Sequence, residues 1–224
     1  MKRRIALYGG TFDPVHLAHL DVARRLLELF ALDEVLFIPA CIAPHKRRTS
    51  VTPALHRYAM LALATQDDER LRVSTIELDA PEKPYTVDTL QRMQDGFGEQ
   101  AQWFFVMGAD SWAEIDTWHE WERVLAISNH IIVTRPGYEV ETLRFAPGVQ
   151  ERIVDLRQLN QQEIGARLNG VGEPRIYITD AVMADVSATR IRASARAGRM
   201  DELMKLVPPP VANYITKYGL YKDE

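Results

Sequence analysis

Two histidines three residues apart, His16 and His19, follow Gly9-Gly10-Thr11-Phe12-Asp13-Pro14, which itself follows the apolar run Ile5-Ala6-Leu7-Tyr8. The order reads as a strand, a glycine turn and a helix. Asp13 suits the N-cap, and Pro14 suits the first helical position, where its missing N–H would have had no partner. Pro14 also steers Asp13 away from helical geometry, which sharpens the boundary. At a spacing of three, both imidazoles lie on one helix face near its start. Unpaired N–H groups and the positive end of the helix dipole favour an anion at that spot. Gly9 and Gly10 would let a ligand approach the main chain. The chemistry this suits is phosphate binding. Paired histidines also occur as surface or packing residues, and H-x-x-H can start a zinc site. Zinc, however, wants three or four ligands, and Cys41 is the one cysteine.

Three further groups could add to that chemistry. In Ser187-Ala188-Thr189-Arg190-Ile191-Arg192, Ser187 can cap a helix and place Arg190 in the first turn. A cation there is unfavourable unless an anion is near, so Arg190 with the Ser187 and Thr189 hydroxyls suits a phosphate; an amphipathic helix with solvated arginines is the alternative. His45-Lys46-Arg47-Arg48 is a basic cluster that could equally be a solvated loop. Trp112, Trp118 and Trp121 fall close together among acids, after Gly108-Ala109-Asp110. Most tryptophans pack in cores, as expected for Trp121, yet an indole is also a stacking platform for a flat ring. Arg135, before Pro136-Gly137, could be an ordinary turn residue.

These groups need a scaffold, and short apolar runs alternating with helical patterns predict one. Strands are expected over 4–8, 34–39, 72–78, 103–107, 130–134 and 175–178, with helices over 14–30, 53–64, 86–95, 120–126 and 188–197. Several strands are apolar at nearly every position, as buried parallel strands are. The fold class is therefore α/β, Rossmann-like and doubly wound, with a mostly parallel sheet. In the first helix Leu20, Ala23, Leu27 and Phe30 recur at helical spacing and should pack on the sheet. The polar stretch 137–172 reads as an irregular crossover with one strand at 153–156. After Ser187 the chain reads as helical, with Pro208-Pro209-Pro210 as a stop and a last helix over 211–218. One domain over 1–224 is expected, an α/β core over 1–186 and a helical C-terminal part over 187–224. The Gly9 turn, the 39–46 loop, Gly108-Ala109-Asp110 and Arg135 all follow strands, so they could meet in one crevice at the strands' carboxyl ends.

Composition sets outer limits. Hydrophobic residues make up 46% and charged residues 26%, ordinary for a globular chain. A net charge of −4 argues against a nucleic-acid partner, though not against an anion in a local basic pocket. The basic start Met1-Lys2-Arg3-Arg4 precedes an apolar run too short for a signal peptide. No stretch is long enough to cross a bilayer, so no membrane association and a cytoplasmic location are expected.

The 9–19 segment resembles the H-x-G-H signature of nucleotidyltransferases, in the form found in bacterial nicotinate mononucleotide adenylyltransferases. Ala43-Pro44-His45-Lys46, Pro84-Tyr85-Thr86-Val87-Asp88-Thr89, Gly108-Ala109-Asp110-Ser111, Thr117-Trp118, Arg135-Pro136-Gly137-Tyr138 and the 187–192 segment resemble the same family, in its order. Ala18 departs from the pattern, adding a methyl where the family usually has glycine. The resemblance implies transfer of the adenylyl group of ATP to nicotinate mononucleotide, with Mg²⁺, giving deamido-NAD and pyrophosphate in NAD biosynthesis. It implies His16 and His19 as catalytic groups, with Gly9, Gly10, Thr11, Phe12, Ser187, Thr189 and Arg190 joining them around ATP. His45 and Lys46 would belong to a phosphate-binding loop, Thr86 and neighbouring backbone donors would read the nicotinate carboxylate, Tyr85 would bind the substrate beside them, and Trp118 would stack on its ring. Asp110 would face the ribose hydroxyls, Gly108 would bind the substrate beside it, and Arg135 would contact the mononucleotide phosphate. No side chain is expected as a dedicated metal ligand, and a homo-oligomer is compatible with all of this. Two alternatives stand beside it: a sister transferase acting on nicotinamide mononucleotide or phosphopantetheine, and a non-catalytic nucleotide-binding module.

Overall fold

Strands that are apolar on both sides must be covered on both faces, and alternation along each strand distributes its side chains between two cores. In the computed structural model, which describes residues 2–41, 51–80, 84–97, 100–134, 139–142, 144–168, 173–180 and 186–222, this is the arrangement. The strands are β1 (Arg3–Gly10), β2 (Glu34–Pro39), β3 (Leu71–Val73), β4 (Ala101–Gly108), β5 (Asn129–Val133), β6 (Ile153–Asp155) and β7 (Ile176–Thr179). They form one sheet in the order β3-β2-β1-β4-β5-β7-β6, and every pairing is parallel. Ala6, Phe104, Val106, Ile131 and Tyr177 enter one core. Ile5, Leu7, Trp103, Phe105, Met107, Ile132, Ile176 and Ile178 enter the other.

Among the described residues the helices are α1 (Leu17–Leu29), α2 (Ala54–Thr65), α3 (Thr86–Phe97), α4 (Ala109–Ala113), α5 (Trp121–Ile127), α6 (Pro147–Gln150), α7 (Gln161–Leu168), α8 (Ala188–Arg196), α9 (Met200–Leu203) and α10 (Pro209–Tyr218). None is long and apolar enough to cross a membrane. Leu20, Ala23, Leu27 and Phe30 of α1 are buried, as their spacing predicts. Helix α3 and the segment from α4 to α5 contribute to the second core, while α1, α2 and the C-terminal helices contribute to the first. The result is a Rossmann-like α/β fold with helices on both sheet faces. Strand order reverses between β1 and β4, where a doubly wound sheet opens its crevice.

Four expectations need correction. The first helix begins at Leu17 and not at Pro14. The strand expected over 72–78 is only Leu71–Val73, because Ile76 N–H is taken by the Ser74 hydroxyl and Asp79 N–H by the Thr75 carbonyl, which bends the chain into turns. The stretch 137–172 carries α6, β6 and α7 in its described part, so it is more regular than its polarity suggests. Finally, the proline triplet opens α10 and stops nothing: Pro208 is its N-cap and Pro209 and Pro210 form its first turn.

Candidate active site

Glycine stands at Gly9 and Gly10 because of neighbouring rings as much as any ligand. Both residues belong to β1 itself. A Cβ on Gly10 would lie 2.9 Å from Phe12 Cζ, and one on Gly9 would lie 3.2 Å from Phe105 Cζ. The turn proper starts at Thr11. There Phe12 adopts a left-handed φ of 50°, held by a ring buried among Tyr8, His19 and Phe37. Phe12 can therefore offer a ligand its backbone only.

Asp13 and Pro14 do not cap α1. His16 is the N-cap, in extended geometry, and its backbone N–H donates to His19 Nδ1 at 3.3 Å. Asp13 is drawn away from the helix by other partners. Its carboxylate accepts from the Tyr221 hydroxyl at 3.0 Å and from Thr52 N–H at 3.3 Å, while its carbonyl accepts from Arg192 at 2.8 Å. Nor is the start of α1 bare of partners, since Leu17 N–H donates to the Leu206 carbonyl at 3.0 Å.

The two imidazoles do share one face, as their spacing predicts. Their rings stack with centroids 3.6 Å apart and 22° between planes. Burial pushes the His16 pKa down to about 4. Burial first, then the neighbouring His16 charge, holds His19 well below the usual histidine range. Both are neutral at pH 7. Because His19 Nδ1 accepts the His16 N–H, its proton sits on Nε2, which makes His19 a single directed donor. His16 Nδ1 is buried with no partner among the described residues. An orphaned polar atom beside a directed donor marks a place where a ligand supplies what the protein does not.

Helix α8 is joined to this turn by the Arg192 bond to Asp13. Ser187 caps it as expected, its Oγ accepting Arg190 N–H at 3.3 Å. Ser187, Thr189 and Arg190 are exposed at that helix start. The Arg190 guanidinium is already engaged by Glu202 at 3.1 Å, and Glu202 also pairs with Arg199 at 3.1 Å.

On the β4 side of β1, Phe105 lies between Gly9 and Trp118, its ring 6.3 Å from the indole and nearly perpendicular. Trp118 is half-buried, with its Nε1 buried and unpartnered among the described residues. Tyr85 precedes α3 and its ring lies 4.3 Å from that of His119, tilted by 32°, which brings the Tyr85-Thr86 corner to the Trp118 segment. Thr86 opens α3 and is half-buried. Gly108 ends β4, and Asp110 sits exposed in the first turn of α4. Trp112, by contrast, is buried and donates to the Glu141 carbonyl, and Trp121 packs near Phe145; both are packing residues. His45, Lys46 and Arg135 lie outside the described residues.

The sequence reading missed three groups, the buried Arg57 and Tyr221 and the half-buried Glu77. Arg57, on α2, donates to the carbonyls of Thr11, Ala40, Cys41 and Thr52. Glu77 accepts from Cys41 N–H at 3.3 Å and Thr89 Oγ1 at 3.1 Å, and burial raises its pKa. Tyr221 reaches Asp13 from near the C-terminus. Only Arg57 had a signal, as a cation at helical spacing with Met60, Leu61 and Ala64 on an otherwise apolar stripe.

Fold and site together define a Rossmann-like α/β protein whose stacked His16–His19 pair follows β1, the strand at the switch in strand order between β1 and β4. The chain belongs to the cytidylyltransferase-like family, whose profile matches residues 7–194, from β1 into α8. It is 36% identical over 221 residues to the "probable nicotinate-nucleotide adenylyltransferase" of Thermoanaerobacter sp. (strain X514), covering 99% of this chain and 95% of that protein. The protein of the same description from Thermus thermophilus is 37% identical, covering 98% of this chain and 100% of that protein. Among solved structures, a Plasmodium falciparum nicotinic acid mononucleotide adenylyltransferase complexed with NaAD shares the fold, with a TM-score of 0.72 at 19% identity over 99% of this chain and 98% of that one.

Proposed function

We propose that this chain transfers the adenylyl group of ATP to nicotinate mononucleotide, releasing pyrophosphate and forming deamido-NAD in NAD biosynthesis. The observation that carries the chemistry is the stacked, neutral His16–His19 pair at the start of α1, beside the Thr11-Phe12 turn. Relatives at 36–37% identity along the whole chain support the acceptor.

In this reading a phosphate oxygen of the mononucleotide attacks the α-phosphorus of ATP, and the bond from that phosphorus to the pyrophosphate oxygen breaks. The attacking oxygen is already ionised, so no general base is needed. The protein's work is alignment and charge stabilisation. His19 Nε2–H and His16 donate to phosphate oxygens as negative charge moves onto the leaving group. Gly9, Gly10, Thr11 and Phe12 line the triphosphate with backbone, and Ser187, Thr189 and Arg190 hold its distal end. Tyr85, Thr86 and Trp118 receive the pyridine ring, Gly108 and Asp110 the ribose, and His45, Lys46 and Arg135 the mononucleotide side. Mg²⁺ arriving with ATP would supply charge neutralisation on the phosphates, with few direct protein ligands.

The test is pyrophosphate release with ATP and Mg²⁺, run in parallel with nicotinate and nicotinamide mononucleotides. Release with the acid far above that with the amide is expected. Preference for the amide, or no release with either, overturns the assignment.

A further inference from the structure

We propose that Arg57 is a positioning residue for the adenylyl transfer: its buried guanidinium turns the Thr11–Phe12 peptide so that the Phe12 N–H faces the phosphate site. The inference rests on the function proposed above and adds a residue that touches neither substrate.

Arg57 is only 1% exposed. Its Nη1 donates to the Thr11 carbonyl at 2.7 Å, its Nη2 to Ala40 at 2.7 Å and Cys41 at 3.4 Å, and its Nε to Thr52 at 2.8 Å. One side chain thus holds three separate stretches: the turn after β1, the end of β2, and the residues just before α2. In a planar trans peptide the C=O and N–H point in opposite directions. Drawing the Thr11 oxygen toward the guanidinium therefore sends the Phe12 N–H the other way. No backbone carbonyl among the described residues accepts that N–H. The left-handed φ of Phe12 belongs to the same local geometry.

At Cys41 the same device works from both sides. Arg57 takes its carbonyl, and Glu77 takes its N–H at 3.3 Å. Glu77 is tied in turn to Thr89 of α3. A planar fork of donors is required to reach these carbonyls at once, and the rotating ammonium of lysine cannot reproduce it.

Arg57→Lys and Arg57→Met should each lower kcat for pyrophosphate release at least tenfold, with KM for the mononucleotide within about threefold and melting still cooperative. A folded Arg57→Lys protein whose kcat falls less than tenfold overturns the proposal, since a merely structural role would lower the melting temperature and leave kcat in place. If Arg57→Met does not fold, the lysine variant decides. In the wild-type protein, the Phe12 amide resonance should move when a non-hydrolysable ATP analogue binds and stay when adenosine is added; an unmoved resonance also overturns it. Wild-type protein that releases no pyrophosphate refutes the function separately. Arg57 is then judged by ATP affinity, where a tenfold loss in Arg57→Lys upholds its role and equal affinity removes it.

Discussion

Lowering the pH from 7 to 5 should remove about 2 kcal/mol of stability for a histidine whose pKa burial holds at about 4, and His130 allows that contribution to be isolated. His130 is wholly buried on β5, and its Nε2 lies 3.0 Å from the Val124 carbonyl oxygen. A carbonyl only accepts, so Nε2 carries the hydrogen and Nδ1 is left bare. Burial lowers the pKa from 6.5 to about 4, with the Val124 bond opposing and the Arg152 charge assisting. The unfolded chain thus takes up a proton near pH 6.5 that the native protein refuses until about pH 4. Stability falls as pH drops through that window and is unaffected above it. With those two pKa values, linkage gives a negligible loss at pH 7 and a loss of about 2 kcal/mol at pH 5. His16, lowered to about 4 by burial, adds a similar loss. The pair should lower Tm by roughly 7–15 °C, at about 2–4 °C per kcal/mol for a chain of this size. His130→Gln keeps an N–H for Val124 but cannot titrate. Urea unfolding of both proteins at pH 7, 6 and 5 is the assay. The variant should lose about 2 kcal/mol less than wild type between the extremes. Parallel losses would refute the reasoning, whatever the variant's baseline stability.

Within the site, His19→Ala should cut turnover by roughly 100-fold or more while the far-UV circular dichroism stays native, because a directed transition-state donor is lost; near-normal pyrophosphate release removes its role. Trp118→Ala should raise KM for the mononucleotide more than KM for ATP, and equal effects on both count against stacking. Arg190→Ala should weaken ATP binding in calorimetry, whereas Glu202→Gln, which loosens the pair with Arg190 at 3.1 Å, should not. Tyr221→Phe removes a hydrogen bond to the buried Asp13 carboxylate and should destabilise by about 1–3 kcal/mol in urea unfolding. A change under about 0.5 kcal/mol would mean that Asp13 is satisfied without it.

What could be read from the sequence was what short-range spacing determines. The sheet follows from alternating apolar runs, the shared face of His16 and His19 from a spacing of three, and the Ser187 cap from a serine three residues before the Arg190 N–H it accepts. What could not be read was set by partners far along the chain. Asp13 looked like a helix cap because a proline follows it. Its carboxylate is instead claimed by Tyr221, 208 residues away, and by Thr52, 39 away, which leaves the cap to His16. The glycines looked like room for a ligand, while the nearest obstruction to a Cβ at Gly9 is the ring of Phe105 on the neighbouring strand.

The same reasoning explains why Arg57 was not found and why it matters. A buried cation is costly unless its donors are satisfied, so its position is tolerable only where several carbonyls converge on it. That convergence exists only after β1, β2 and α2 have come together, and no window of sequence contains it. Conversely, once the fold has formed, Arg57 cannot leave without stranding the carbonyls of Thr11, Ala40 and Thr52. Residues that contact phosphate can be legible because their chemistry is local. The side chains that hold such residues to within fractions of an ångström are defined by tertiary contacts. In the adenylyl transfer proposed above, which depends on alignment, those contacts would share in positioning the reacting groups.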